Sequence, residues 1–207
     1  MKKVLIVILS VGILINCYPC NVLAYVTNVL DSGASTLAVI PVYATEKIDA
    51  TEIPVYDYNP TGSYVPTAVA IWLRYMDAVV NPSYVDTHLV NEELLIEELM
   101  LWLNDNGQSV SATNLKTGLQ DYLDDTGVDH TVYGGSWNAS QYRYNINTNR
   151  PVLVRLNSHP SYGNRWVVGY GYIYSTQMDT LSTIIVNDCN GNKGVEINLS
   201  YVGHMVY

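Results

Sequence analysis

Arg165 stands at the head of a run, residues 165–174, whose valines, tyrosines and glycines are typical of a buried β-strand. A guanidinium stays protonated at neutral pH, so it cannot act as a base. It can instead donate to a carboxylate or lie against an aromatic face. Because an unpaired charge beside an apolar strand costs free energy, we expect Arg165 to have a specific partner elsewhere in the chain.

Cys189, which follows Asp188, is the other residue that suggests covalent chemistry. A thiol becomes reactive when a helix N-terminus or a nearby cation lowers its pKa. Cys189 comes after a predicted strand, in a turn-rich loop with no helix start nearby, which favours a small structural residue. The alternative is a nucleophile with relocated chemistry, for which His204 or His159 would be the base.

The histidines do not indicate a metal site. The chain has four histidines, and their spacing matches no common ligand pattern. They lie at His88, His130, His159 and His204. We therefore expect no metal and no cofactor.

The first 24 residues have the pattern of a secretory signal peptide. Lys2 and Lys3 precede an apolar stretch too short to span a bilayer comfortably, and small or compact residues lead up to Tyr25. Cleavage there leaves residues 25–207, which suit a single secreted domain. Of the three cysteines only Cys189 remains, so no disulfide within the domain is expected.

Composition excludes several classes of partner. The formal charge is −9, and losing the two lysines of the leader moves it to −11. No basic stripe remains to meet nucleic-acid phosphates or an anionic membrane surface. We expect no nucleic acid and no stable membrane association after cleavage. The 18 tyrosines and the absence of phenylalanine imply that tyrosine rings supply most of the aromatic packing.

Helix signals dominate the first part of the expected mature chain. A mainly apolar helix is predicted from Pro66 to the residue before Asn81, with proline at its first turn and Asn-Pro as its stop. A second helix begins after Asn91 as the N-cap and ends near Leu103. A third is predicted with Thr113 as its cap.

Strand patterns dominate the second part. Period-two or continuous apolar runs predict strands at 35–43, 129–134, 140–146, 151–156, 165–174, 182–187, 194–198 and 203–207. Helices first and strands afterwards indicate an α+β fold with an antiparallel sheet.

Three stretches carry a family resemblance. They are Tyr64-Val65-Pro66-Thr67-Ala68, Gly163 to Tyr172 and Ile185-Val186-Asn187-Asp188, the last followed by a glycine-containing turn. Their order and context resemble the C39-like branch of the papain-like cysteine peptidases. That family has a Cys-Gly-Pro-Thr-Ala-type helix start, a His-Trp-Val-Val-Gly-type strand and a strand that ends in Asn-Asp. The resemblance spans nearly all of residues 25–207 and implies a papain-like fold, with N-terminal helices packed on a C-terminal sheet.

The departures from that family concern its reacting groups. The resemblance puts Tyr64 where the family has its nucleophilic cysteine and Arg165 where it has its histidine base, while Asp188 keeps the orienting position. A tyrosine hydroxyl is a poor acyl nucleophile at pH 7, and arginine cannot accept the proton. The glutamine expected before the nucleophile is also missing. Loss of these groups together removes this type of covalent catalysis.

The resemblance therefore implies an inactive peptidase homologue that acts as a binding module for a peptide or protein. Its former catalytic cleft would be lined by Tyr64, Arg165, Asp188 and Trp166. From the same placement we predict that Arg165 hydrogen-bonds Asp188, directly or through one water. We also predict that the Tyr64 ring contacts the guanidinium.

Overall fold

The structure is a computed structural model that describes residues 42–49, 51–60, 62, 64–103 and 110–207. The predicted signal peptide and most of the strand predicted at 35–43 lie outside these residues. None of the described helices is both long and apolar enough to cross a membrane.

The described chain contains four α-helices and seven β-strands. The helices are α1 (Val65–Val79), α2 (Glu92–Trp102), α3 (Ala112–Asp125) and α4 (Ala139–Asn147). The strands are β1 (Tyr43–Lys47), β2 (Gly134–Ser136), β3 (Val152–Leu156), β4 (Trp166–Ser175), β5 (Thr180–Asn187), β6 (Val195–Asn198) and β7 (Val202–Val206). A single 3₁₀ turn, Leu199–Tyr201, joins β6 to β7.

All described strands form one antiparallel sheet in the order β2-β7-β3-β4-β5-β6, and β1 also pairs with β4. The predicted α+β class with an antiparallel sheet is confirmed. α1 packs against β3 and β4, α2 packs against α1, and α3 packs against α2, β2 and β7. The core thus lies between the helical layer and the strands that follow it in the chain.

The first two helices begin as the sequence predicts. Pro66 occupies the first turn of α1, where its missing N–H costs no helical hydrogen bond. The helix is buried almost throughout its N-terminal two thirds, as expected for an apolar circumference. Asn91 caps α2 by accepting a hydrogen bond from the backbone N–H of Leu94. In α3 the cap is Ser111 and not the predicted Thr113.

Two strand predictions were wrong. Residues 140–146 lie in α4, where the Asn138 side chain accepts from the N–H of Gln141 and so caps a helix. The alternating tyrosines mimicked a strand, but the buried face follows the helical spacing of Tyr142 and Ile146. Residues 129–132 lie in no strand, and only the end of the range predicted at 129–134 is paired: Tyr133 exchanges two backbone hydrogen bonds with Tyr207, at 2.8 and 2.9 Å, and β2 begins at Gly134.

The glycines of β4 permit a close approach of neighbouring elements. The Tyr142 hydroxyl donates to the carbonyl of Gly171 at 2.8 Å. A Cβ at Gly169 would lie only 2.5 Å from that hydroxyl oxygen, so any larger residue there would displace the ring. A Cβ at Gly171 would instead lie 2.7 Å from the Cβ of Lys47, so the two glycines of β4 make room for α4 and for β1 respectively.

Candidate functional site

Three elements bring Tyr64, Arg165 and Asp188 to one region of the molecule. Tyr64 is the N-cap residue of α1, Arg165 immediately precedes β4, and Asp188 immediately follows β5. β4 and β5 are antiparallel, with Val168 opposite Asn187. The start of one strand therefore meets the end of the other, next to the head of α1.

Arg165 lies on aromatic faces. Its guanidinium carbon is 3.5 Å from the centre of the Tyr64 ring and 5.2 Å from the centre of the Tyr162 ring. Both distances fall within the range of cation–π attraction. The predicted contact between Tyr64 and Arg165 is confirmed. All three side chains are partly buried, which strengthens the attraction relative to an exposed pair.

Asp188 is satisfied by other groups. Only 1% of it is exposed, and its Oδ1 accepts from the backbone N–H groups of Asn190 at 2.9 Å and Asn192 at 3.1 Å. Its Oδ2 accepts from the side-chain amide of Asn192 at 2.9 Å and from the Tyr162 hydroxyl at 3.4 Å. Within the described residues no direct hydrogen bond or salt bridge joins it to Arg165, so the direct form of that prediction was wrong. Donors within its own turn already occupy the carboxylate oxygens of Asp188 in place of Arg165.

Tyr162 links the two charged residues. Its hydroxyl donates to Asp188 and its ring faces Arg165. Burial, and then the negative charge of Asp188, raise the pKa of Tyr162, so the phenol remains a donor at neutral pH. Sequence reasoning missed this residue because it lies in a turn-rich loop where no periodic pattern marks a tyrosine as buried.

The turn after β5 is tied to the segment that leads into α1. The side-chain amide of Asn187 donates to the carbonyl of Pro54 at 2.8 Å. The N–H of Gly191 donates to the carbonyl of Tyr56 at 3.2 Å, and Lys193 Nζ donates to the carbonyl of Ile53 at 3.0 Å. These bonds hold Asp188 at a fixed position relative to the helix start.

Tyr64 adopts an unusual backbone conformation. Its φ of 61° and ψ of 0° lie in the left-handed region, and its side chain makes no capping hydrogen bond. That conformation costs a non-glycine residue about 1 kcal/mol or more. Because such strain clusters at functional sites, it is consistent with a functional site at the head of α1.

Trp166 belongs to the core. It is 1% exposed, and its indole N–H donates to the carbonyl of Val110 at 2.9 Å. This predicted binding residue therefore offers almost no surface to a ligand. Its contribution is to anchor the strand that carries Arg165.

Cys189 lies in the hydrophobic core with 0% exposure. Burial, and then the neighbouring Asp188 carboxylate, raise the pKa of its thiol well above the usual range. The sulfur lies 3.8 Å from the carbonyl oxygen of Asn187, and within the described residues no histidine hydrogen-bonds it. The nearby Arg165 acts in the opposite direction but is outweighed, and a protonated, enclosed thiol is typical of a structural cysteine.

The two histidines considered as its base have other surroundings. His159 packs against Tyr162 and Tyr201, with ring centres 5.0 and 4.7 Å apart. His204 lies in β7, where it pairs with Arg155 of β3 and Ser136 of β2. The geometry therefore gives no support to relocated thiol chemistry.

Comparisons with known proteins leave the family open. No family model matches this chain, and neither the curated proteins nor the solved structures include a significant match. Among the described residues no group of three or more histidine, cysteine, aspartate or glutamate side chains is arranged to hold a metal ion.

Proposed function

We propose that this chain is a secreted, catalytically inactive homologue of C39-like papain-like cysteine peptidases. It serves as a module that binds a peptide or protein in the former catalytic cleft. The observation that carries the proposal is the meeting of Tyr64, Arg165 and Asp188 at the head of α1. The motifs of the resemblance assign these three positions to nucleophile, base and orienting residue.

The chemistry of the cluster favours binding over turnover. A guanidinium that lies on an aromatic ring cannot take a proton from a nucleophile. Its edge and the partly buried rings of Tyr64 and Tyr162 provide donors and apolar contact surface for an extended chain. Arginine and tyrosine are also the residue types that contribute most at protein interfaces.

Secretion is the first part of the proposal to test. Expression with residues 1–24 intact in an exporting host should release a product whose N-terminus lies within a few residues of Tyr25. N-terminal sequencing measures this directly. Recovery of released protein that still begins at Met1 would contradict the signal-peptide assignment.

Lack of catalysis is the second part. Purified protein should not hydrolyse a panel of fluorogenic peptides, and thiol-directed peptide inhibitors should not label it. Peptide hydrolysis that disappears in Cys189→Ala would overturn the assignment and favour relocated chemistry. Hydrolysis that survives this change would point to a contaminating protease.

Binding is tested by cross-linking. A library of photoreactive peptides should cross-link to the chain. After proteolysis, the cross-linked fragments of the chain should be those that contain Tyr64, Tyr162 or Arg165. Labelling should fall at least about tenfold in Arg165→Gln, since lost hydrogen bonds to a charged group are worth about 1.5–3 kcal/mol. The matched control is Lys116→Gln, which removes the same charge from an exposed site on α3. Equal labelling of both variants, or labelling confined to other regions, would contradict a ligand in this cleft.

A further inference from the structure

A cavity of about 150 Å³ lies beside the C-terminal half of α1. Its lining is mainly apolar and aromatic. Its buried members are Trp72, Met76, Asn145 and Pro151, whereas Tyr133 and Tyr144 are 56% and 62% exposed. Trp72 is eight residues from Tyr64, or about 12 Å along the helix, so this cavity is separate from the cluster at the head of α1.

Arg150 lines the same cavity and is exposed. Within the described residues it forms no salt bridge. Its backbone is fixed by hydrogen bonds: the N–H of Arg150 donates to the carbonyl of Asn145 at 2.9 Å. The indole N–H of Trp72 donates to the carbonyl of Pro151 at 2.8 Å, and the Tyr75 hydroxyl donates to that of Asn149 at 3.1 Å. These bonds fix the backbone on both sides of Arg150, whose positive charge thus lies next to an apolar cavity without a salt bridge among the described residues.

His130 is a second polar residue of the cavity wall. It lines the cavity and packs edge-on against Trp72 and Tyr84, with ring centres 5.6 and 5.8 Å apart. Its Nδ1 shares a hydrogen bond with the Tyr84 hydroxyl at 3.0 Å. Its Nε2 is hidden from solvent and has no hydrogen-bond partner within the described part of the chain. Because Nε2 is inaccessible, the imidazole of His130 borders the cavity with the rest of its ring and can report on what the cavity contains.

We propose that this cavity binds an aromatic group that carries a carboxylate. The aromatic ring of the ligand lies against Tyr133 and Tyr144, and its carboxylate lies at Arg150. A cavity of about 150 Å³ takes up a ring the size of benzene. Aromatic walls favour an aromatic guest through offset or edge-to-face contact. The guanidinium fork matches a carboxylate in two parallel hydrogen bonds. Two sources share this chemistry: a small free acid and the C-terminal aromatic residue of a peptide.

The ligand test compares acids with their amides. Phenylacetate and a short peptide that ends in phenylalanine with a free carboxylate are titrated by calorimetry. Phenylacetamide and the same peptide with an amidated C-terminus are titrated in parallel. Acids should bind at least about tenfold more tightly than their amides, because the amide loses the charge-assisted pair with Arg150. Tighter binding of the peptide identifies a C-terminus as the source, whereas equal binding of phenylacetate identifies a free acid.

Two variants locate the site. Arg150→Gln should abolish the preference for acid over amide, and Lys116→Gln, which removes an exposed charge on α3, should leave it unchanged. Tyr144→Ala removes an exposed wall residue and should weaken acid and amide alike. Neither changed residue is buried, so both variants should fold.

Imidazole resonances give an independent readout. Addition of phenylacetate should shift the nitrogen signals of His130 and leave those of His88, an exposed residue outside the cavity, unchanged. Absence of binding by every probe would overturn the proposal. Equal affinity for acids and amides, or shifts at His88 without shifts at His130, would overturn it too.

Discussion

The guanidinium carbon of Arg165 lies 3.5 Å from the centre of the Tyr64 ring, which joins the residue before β4 to the residue before α1. Because both side chains are partly buried, the pair should contribute about 0.5–2 kcal/mol to the free energy of unfolding. A double-mutant cycle with Tyr64→Leu and Arg165→Met, followed by urea unfolding, measures the coupling. Strictly additive losses would show that the contact has no energetic role.

The left-handed backbone of Tyr64 leads to a second prediction. Tyr64→Ala removes the ring and keeps the strain, whereas Tyr64→Gly removes both. We expect Tyr64→Gly to be more stable than Tyr64→Ala by about 0.5–1 kcal/mol, because glycine adopts a positive φ without strain and is also preferred to alanine at an N-cap. Urea denaturation of the two variants provides the comparison. The reverse order would mean that this residue does not keep a positive φ in solution.

Asp188 should be important for stability through its own turn. Asp188→Ala removes an acceptor that serves four donors from Asn190, Asn192 and Tyr162 and should lower the free energy of unfolding by about 2–3 kcal/mol. Asp188→Asn keeps one oxygen for the backbone donors and should lose about 1 kcal/mol. The exposed Asp121→Ala serves as the control and should stay within about 0.5 kcal/mol of the parent. A loss for Asp188→Ala no larger than that of the control would refute the role assigned to the turn.

The protonated, buried thiol of Cys189 should react slowly. In a chain that carries Cys17→Ser and Cys20→Ser, Cys189 is the one thiol left. A chromogenic disulfide reagent at pH 7 should label it far more slowly in the native state than in denaturant, because burial raises its pKa and blocks access. Similar rates in both states would revive the thiol as a reactive group.

Local capping and periodicity explain how much of the fold the sequence predicts. Asn91 followed by Glu92 and Glu93 marks the start of α2 within a residue, because a cap is a local property. The cap of α4 at Asn138 is equally local, but the period-two spacing of Tyr142, Tyr144 and Ile146 predicts a strand at the same place. A short amphipathic helix with three tyrosine or isoleucine positions is consistent with either period, and packing against β4 decides between them.

The site shows the complementary limit. The contact between Tyr64 and Arg165 was predicted from the resemblance to C39-like peptidases, which puts the two residues at facing positions, and the structure contains it. The hydrogen-bond partners of Asp188 were not predicted, because three nearby donors within its own turn compete with the long side chain of Arg165. Such competition depends on distances of a few tenths of an ångström, which motif order does not specify.

His130 gives a pH-dependence that can be traced to one residue. Burial, and then the positive charge of Arg150, lower its pKa below its usual 6.5. Well above pH 6.5 the imidazole is neutral in both the folded and the unfolded chain, so it does not make the free energy of unfolding depend on pH. As the pH falls below 6.5, the unfolded chain takes up the proton first and is favoured, so the free energy of unfolding decreases until the folded-state pKa is reached. Burial also lowers the pKa of His159, so this residue too decreases the free energy of unfolding as the pH falls.

We therefore expect stability to decline between pH 7 and pH 5, with a smaller slope in His130→Gln. Urea unfolding at half-unit pH intervals measures the slope, which is informative even if the substitution lowers stability at every pH. His88→Gln, at an exposed position, should retain the parent slope. His159→Gln should reduce the slope too, and the double variant should reduce it further, because the two proton uptakes are independent. An unchanged slope in His130→Gln would mean that this imidazole titrates alike in both states and lies in a more hydrated site than the structure describes.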